Sequence, residues 1–232
     1  MRPHTSGRIA VAGVAGGAPL VGLGYALQVD AVVRLGALLV LAAATGIVAH
    51  GIRVQLDAGR ARWTTDADWH HLTAGTLLLG QAWLGIGLAI GAGRALATGS
   101  EPAGWSLGLL AGPLVVGGVA QILVGAMTHL LPAIGPGDPV RHAAQRRVLG
   151  AGAMPRLALI NAGALTITLA AGPLAAAGAG LWVTLPDVPA GLSLVAVGLG
   201  LAAAGLGASL ALLGLAAVSQ AAAKPSVRQA GA

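Results

Sequence analysis

The sequence has no cysteine and six histidines, so imidazole is the side chain best suited here to hold haem iron or copper. Four of the histidines, His50, His70, His71 and His129, stand at the edges of long apolar runs. Gln121, Gly125 and His129 follow at i, i+4 and i+8 and fall near one helical face, flanked by Gly118 and Thr128. Gly46 and His50 repeat the i, i+4 spacing. A glycine one turn from a histidine leaves room for a flat ligand beside the backbone. A haem pocket needs that room, and a close helix contact needs it equally. A metal would draw on His50, His71 and His129. A site for haem b or copper would add Gln121, with Thr45, Thr73 and Thr128 as other partners for the second ring nitrogen. The plainer alternative makes His50 and His129 hydrogen-bonding groups between helices, with His70 and His71 wet at an interface. The pattern leaves both open.

The elements that must position these residues follow from composition. Only 9% of the residues are charged and 56% are hydrophobic, with a mean hydropathy of +0.83. A water-soluble domain carries about 25% charged residues, so this chain cannot cover itself with a water-facing surface. The expected fold is an all-α integral membrane protein, a single domain built as a bundle of about six transmembrane helices. Spans of roughly 20 apolar residues are expected near 9–27, 33–52, 70–96, 105–134, 157–183 and 192–219. Pro19 should bend the first, and Pro113, Pro132 and Pro173 should bend or end others. Asp138 as N-cap and Pro139 at the first position predict a short basic helix over Val140–Leu149, stopped by Gly150 and lying on the membrane surface. The 38 glycines would weaken helices in water, but in lipid they let helices approach closely. Gly118 and Gly125, on the polar stripe, are expected to tolerate bulk less well than Gly205.

Orientation comes from the basic residues. Eleven of the 13 lysines and arginines fall on the side of the N-terminus, and only Arg34 and Arg94 fall on the other. The positive-inside rule makes the first side cytoplasmic, with both termini there. Trp63 and Trp69 then sit at the cytoplasmic interface, and Trp105 and Trp182 at the opposite one. Trp83 lies inside the third span, where filling a gap between small residues suits it better than stacking on a cofactor. Asn161 reads as a bond between helices. The first span shows no cleavage boundary and reads as retained. These features predict a multi-pass protein of the inner (cytoplasmic) membrane, in contact with membrane lipid. The basic residues sit in loops between spans, so no nucleic-acid partner is expected.

No P-loop, zinc-protease motif or nucleophile elbow occurs. Every Asp and Glu falls in a loop or at a span end, which weakens a proton-coupled transporter. Two segments carry a resemblance: RWTTDADWHHLTAGTLLLGQAW, from Arg62 to Trp83, and GGVAQILVGAMTHLLPAIGPGDPVRHAAQRRVLG, from Gly117 to Gly150, followed by Arg156 and Asn161. Together they resemble the membrane-embedded region of actinobacterial multicopper-oxidase or nitrite-reductase-like fusion proteins. More distantly they are similar to the NnrS-type haem-and-copper membrane proteins. The resemblance covers about half of the chain, and Gln121 through His129 and Pro132 to Arg147 is its most specific part. It implies haem or copper at His50, His71 and His129, respiratory or nitrogen-oxide redox metabolism, and a redox partner subunit or oligomer. Such proteins usually carry a further histidine-bearing half and cupredoxin domains, which this sequence lacks, so Met1-Arg-Pro reads as a start inside a longer chain. The alternatives from pattern alone are a small transporter component and a structural membrane subunit without a cofactor.

Overall fold

The computed structural model describes residues 5–59, 66–101, 107–134, 139–171 and 194–221, and among them every element is helical. α1 covers Thr5–Leu27, α2 Asp30–Gly59 and α3 Ala67–Thr98. A single turn, α4 (Leu107–Leu110), leads into a π-helix at Ala111–Ala120, which continues as α5 (Gln121–Ile134). α6 is Pro139–Gly150, α7 is Ala153–Ala171 and α8 is Leu194–Ala221. Six segments are long and apolar enough to cross a membrane: Thr5–Leu27, Asp30–Asp57, Ala67–Thr98, Ala111–Ile134, Ala153–Ala171 and Leu194–Ser219. The protein is an all-α, multi-pass membrane bundle, and each of these six segments overlaps a span that the sequence predicts; 172–183 of the predicted fifth span lies outside the described residues. Arg2, His4, Arg60, Arg62, Trp63, Trp105, Asp138, Pro173, Trp182, Lys224 and Arg228 lie outside the described residues.

α1 packs mainly on α2, α2 packs on α3, and α3 packs in turn on the π-helix and α5. α7 packs on the π-helix and on α8. α2 and α5 thus lie against α3 rather than against each other. The α1–α2 hairpin shows what holds such helices together. A Cβ on Gly13 would lie 2.6 Å from the Leu39 carbonyl oxygen, one on Gly17 2.7 Å from the Gly36 oxygen, and one on Gly24 2.6 Å from the Val33 nitrogen. Backbone meets backbone at each turn, a contact only glycine permits and the one that drives association where lipid is as apolar as the side chains. Gln28 turns the hairpin in the left-handed region (φ 55°) and donates from Nε2 to the Tyr25 carbonyl at 2.8 Å.

The π-helix is the feature sequence patterning did not give. Its wider turn carries Gly112, Pro113, Gly117 and Gly118, all buried. Gly117 faces Trp83 of α3, and Gly112 faces the Ala164 carbonyl and Thr168 of α7. The segment is therefore wedged between α3 and α7. Extra residues per turn are common where a helix must accommodate a bulky neighbour or a functional group.

The basic helix predicted over Val140–Leu149 is present as α6, with Pro139 at its first position, where a missing N–H leaves nothing unsatisfied. α6 packs across α3, α5 and α8 at one end of the bundle, with Arg141 and Arg147 exposed.

The packing expectation divides its two stripe glycines. A Cβ on Gly118 would meet the Pro113 carbonyl at 3.1 Å and Leu84 only at 3.5 Å, and one on Gly125 would meet side-chain atoms of Thr76 and Leu77. On Gly205 it would meet the Arg156 carbonyl at 2.9 Å and the Ile160 nitrogen at 3.1 Å, both backbone. Thr76 is fully buried, so Gly125 is closed as tightly as Gly205, whereas Gly118 meets its neighbouring helix only at ordinary contact distance. Gly205→Leu should therefore lower thermal stability in detergent by about 2–3 kcal/mol, the range for overpacking a tight interface. Gly118→Leu should cost less. Equal losses, or a larger loss at Gly118, would contradict the packing described here.

Candidate functional site

The four histidines do not meet at one point. His50, half-buried in α2, faces α1, where a Cβ on Gly7 would lie 3.6 Å from its Nδ1. His71 and His129 are exposed. His129 lies flat against Trp69, ring centroids 5.5 Å apart and planes 16° from parallel. His70 meets the same indole edge-on at 4.5 Å. His70, His71 and His129 thus gather around Trp69 at one end of the bundle, while His50 stands apart on the far side of α3.

The space beside the two sequence-marked glycines is also filled. A Cβ on Gly46 would lie 2.9 Å from both the Ala10 nitrogen and the Ser6 carbonyl of α1. Thr76 and Leu77 of α3 close over Gly125. Both glycines serve helix contact rather than the approach of a flat ligand. Among the described residues, no group of three or more His, Cys, Asp or Glu is placed to hold a metal ion. The residues present do not fit a haem held between His50 and His129.

What the structure builds instead is a junction on Trp69. The indole is buried, and its Nε1 donates to the Thr128 carbonyl of α5 at 2.9 Å. The Arg146 guanidinium of α6 lies 5.8 Å from the ring centroid, within range of a cation–π contact. Arg146 Nε donates to Asp66 Oδ2 at 2.6 Å. Asp66 holds a left-handed backbone (φ 54°) just before α3, a conformation aspartate tolerates better than most residues. Leu149 of α6 and Ala216 of α8 complete the buried cluster. Four helices therefore converge on one side chain, which the sequence placed only as an interfacial tryptophan. A cavity of about 200 Å³ opens beside it, lined by Asp66, Asp68, Trp69, Arg146, Arg147 and Gly150 among others.

Deeper in the bundle, polar groups are tied to neighbouring helices. Trp83 Nε1 donates to Asn161 Oδ1 at 2.7 Å, and Asn161 Nδ2 donates to the Leu157 carbonyl. Gln55 Nε2 donates from α2 to the Ala74 carbonyl of α3 at 2.9 Å. Arg156, read from sequence as a loop residue, is buried in the first turn of α7. Its Nη2 donates to the Leu149 carbonyl at 2.5 Å and its Nη1 to Ser209 Oγ of α8 at 3.4 Å. Those carbonyls at the C-terminal end of α6 carry the partial negative charge that suits a guanidinium. No sequence signal distinguished this arginine from its basic neighbours.

Ser6, Gln81 and Gln145 each leave one buried polar atom without a hydrogen-bond partner among the described residues, and Gln121 leaves two. It is fully buried, and neither its amide oxygen nor its amide nitrogen has a hydrogen-bond partner among the described residues. Of the threonines offered with it as partners for a histidine ring nitrogen, Thr45 donates to Leu41 and Thr73 to Trp69, each within its own helix.

Comparison with known proteins yields no matching family model, no matching curated protein and no matching solved structure. Function is read from the geometry alone.

A buried amide without a partner costs about 1–3 kcal/mol, whereas interhelical hydrogen bonds in membranes average about 0.6 kcal/mol. Gln121→Met should leave the bundle intact and raise its stability by about 1 kcal/mol. Asn161→Ala should lower it, because the Trp83 N–H is left unpaired. Thermal unfolding in detergent reads both. A loss of stability in Gln121→Met would mean that the amide is engaged after all.

Proposed function

We propose that this protein is a structural subunit of the cytoplasmic membrane, both termini cytoplasmic, that assembles through the outer face of α8 with a second copy of itself. One observation carries the reading. The inner face of α8 presents Gly198, Ala202, Gly205 and Ser209, all buried, and packs on α7: a Cβ on Gly163 of α7 would lie 2.6 Å from the Ala202 nitrogen. The outer face repeats the same four-three spacing with Gly200, Ala204, Gly207, Ala211 and Gly214, all exposed. A Cβ on Gly200, Gly207 or Gly214 would meet nothing within 4 Å. Leu210 and Leu215, both exposed, flank this groove as ridges. Small residues at that spacing let two membrane helices approach closely, and a closed pair formed by one patch on each copy is the commonest assembly. The eleven-to-two division of basic residues supports the orientation.

A second reading is a haem- or copper-associated subunit of respiratory or nitrogen-oxide redox metabolism. It is favoured by the family resemblance and by His70 and His129 meeting on one indole. An absorption spectrum of the purified protein tests it. A Soret band lost in His129→Ala would favour the redox reading, and a colourless preparation would favour the structural one.

Light scattering in mild detergent tests the assembly itself. The wild type should run as a dimer, Gly207→Leu as a monomer, and Gly22→Leu, an equally open glycine on α1, as a dimer. A monomeric wild type, or a dimer untouched by Gly207→Leu, would overturn the proposal.

A further inference from the structure

The cavity beside Trp69 brings two anionic and two cationic side chains together at one end of the bundle. It is about 200 Å³ and is lined by Asp66, Asp68, Trp69, Arg146, Arg147 and Gly150 among others. Two carboxylates and two guanidiniums leave it with no net charge. One pair is internally satisfied, since Arg146 Nε bonds Asp66 Oδ2 at 2.6 Å. The other two, Arg147 and Asp68, are exposed and belong to no ion pair or hydrogen bond among the described residues. One cation and one anion therefore face the same cavity uncommitted.

Its position decides what could use them. Asp68 and Trp69 stand where the apolar span Ala67–Thr98 begins, and Gly150 stands just before the span Ala153–Ala171. The cavity is thus at headgroup level. Next to its lining residues along the chain, Val148 and Met154 are exposed apolar side chains, which suits a surface met by acyl chains. From this juxtaposition we infer that the cavity binds the headgroup of a zwitterionic phospholipid bearing a primary amine. Arg147 takes the phosphate as a charge-assisted donor, and Asp68 accepts from the ammonium.

The same residues argue against the other common headgroups. An anionic headgroup offers nothing to Asp68 and would be repelled by it. A choline headgroup has no N–H to donate, and its usual alternative, the face of an aromatic ring, is not offered. Trp69 is 7% exposed, stacked by His129 on one face and approached by Arg146.

The test is native mass spectrometry of the full-length protein in detergent, presented with equimolar dioleoyl phosphatidylethanolamine, phosphatidylcholine and phosphatidylglycerol. The ethanolamine lipid should be retained in preference to both others. Asp68→Asn should reduce that preference about threefold, as expected for one partly exposed ion pair, and Arg147→Gln should weaken retention of all three lipids, whose phosphate they share. Both side chains are exposed, so the variants should keep the wild-type elution profile. Equal retention of the three lipids, preference for phosphatidylglycerol, an ethanolamine preference unchanged in Asp68→Asn, or lipid retention unchanged in Arg147→Gln would each overturn the inference. Displacement of the lipid by micromolar soluble phosphoethanolamine would also overturn it, since the site would then take a free metabolite rather than a bilayer lipid.

Discussion

Close approach of helix backbones is the constraint on which the rest of this structure depends. Lipid gives apolar side chains no reason to leave it, so helices must gain from contact itself. Gly13, Gly17 and Gly24 bring α1 onto α2, and Gly163 and Gly205 bring α7 onto α8. The price of so many small side chains is a bundle with few bulky contacts, and the large residues it does have are placed at junctions. Trp83 fills the space over Gly117 and ties α3 to α7 through Asn161. Trp69 joins α3 to α5 by its indole N–H and to α6 by Arg146.

Polar groups follow the same logic. At membrane depth an unpaired donor or acceptor is costly. The hydroxyls of Thr73, Thr76, Thr168 and Ser209 bond carbonyls of their own helices, and the longer polar side chains join neighbouring ones. Gln55 and Arg156 reach carbonyls and a hydroxyl of neighbouring helices, and Asn161 accepts from the Trp83 indole N–H of α3. At the opposite end, Asp30 at the start of α2 accepts from both the Ser100 N–H and its hydroxyl, at 2.8 and 2.5 Å, and so fastens the chain beyond α3. Gln121 alone among the fully buried side chains has both of its polar atoms outside this scheme.

The helical spans and the surface helix α6 were legible in the sequence because length and hydropathy determine them almost unaided. Asn161 was legible as an interhelical bond because an amide in an apolar span has few other uses. The histidine constellation was not. Spacing along one helix says which residues share a face, but not which helix that face meets. α3 stands between α2 and α5. His50 precedes Gly51, which packs at Gln81 of α3, while His129 packs at Trp69, a different height on the same helix, so the two share neither a level nor a space. The glycines beside them signalled close approach correctly, yet the approaching group is α1 at Gly46 and α3 at Gly125. Trp69 was read as a belt residue because its four-helix surroundings arise only when α6 and α8 fold back over α3. The π-helix has no periodic signature that sequence patterning could use.

The central claim is that α8 carries two helix-binding faces, one met by α7 within the chain and the other met by a second copy. The absence of cysteine allows it to be tested in intact membranes. In Gly207→Cys the new thiol is the only one, and it lies in the outer groove. Oxidation should join two 22.4 kDa chains into a disulfide-linked dimer, while Val11→Cys, on the exposed face of α1, should remain monomeric under the same treatment. Monomer alone from Gly207→Cys, or equal cross-linking from both positions, would contradict the account.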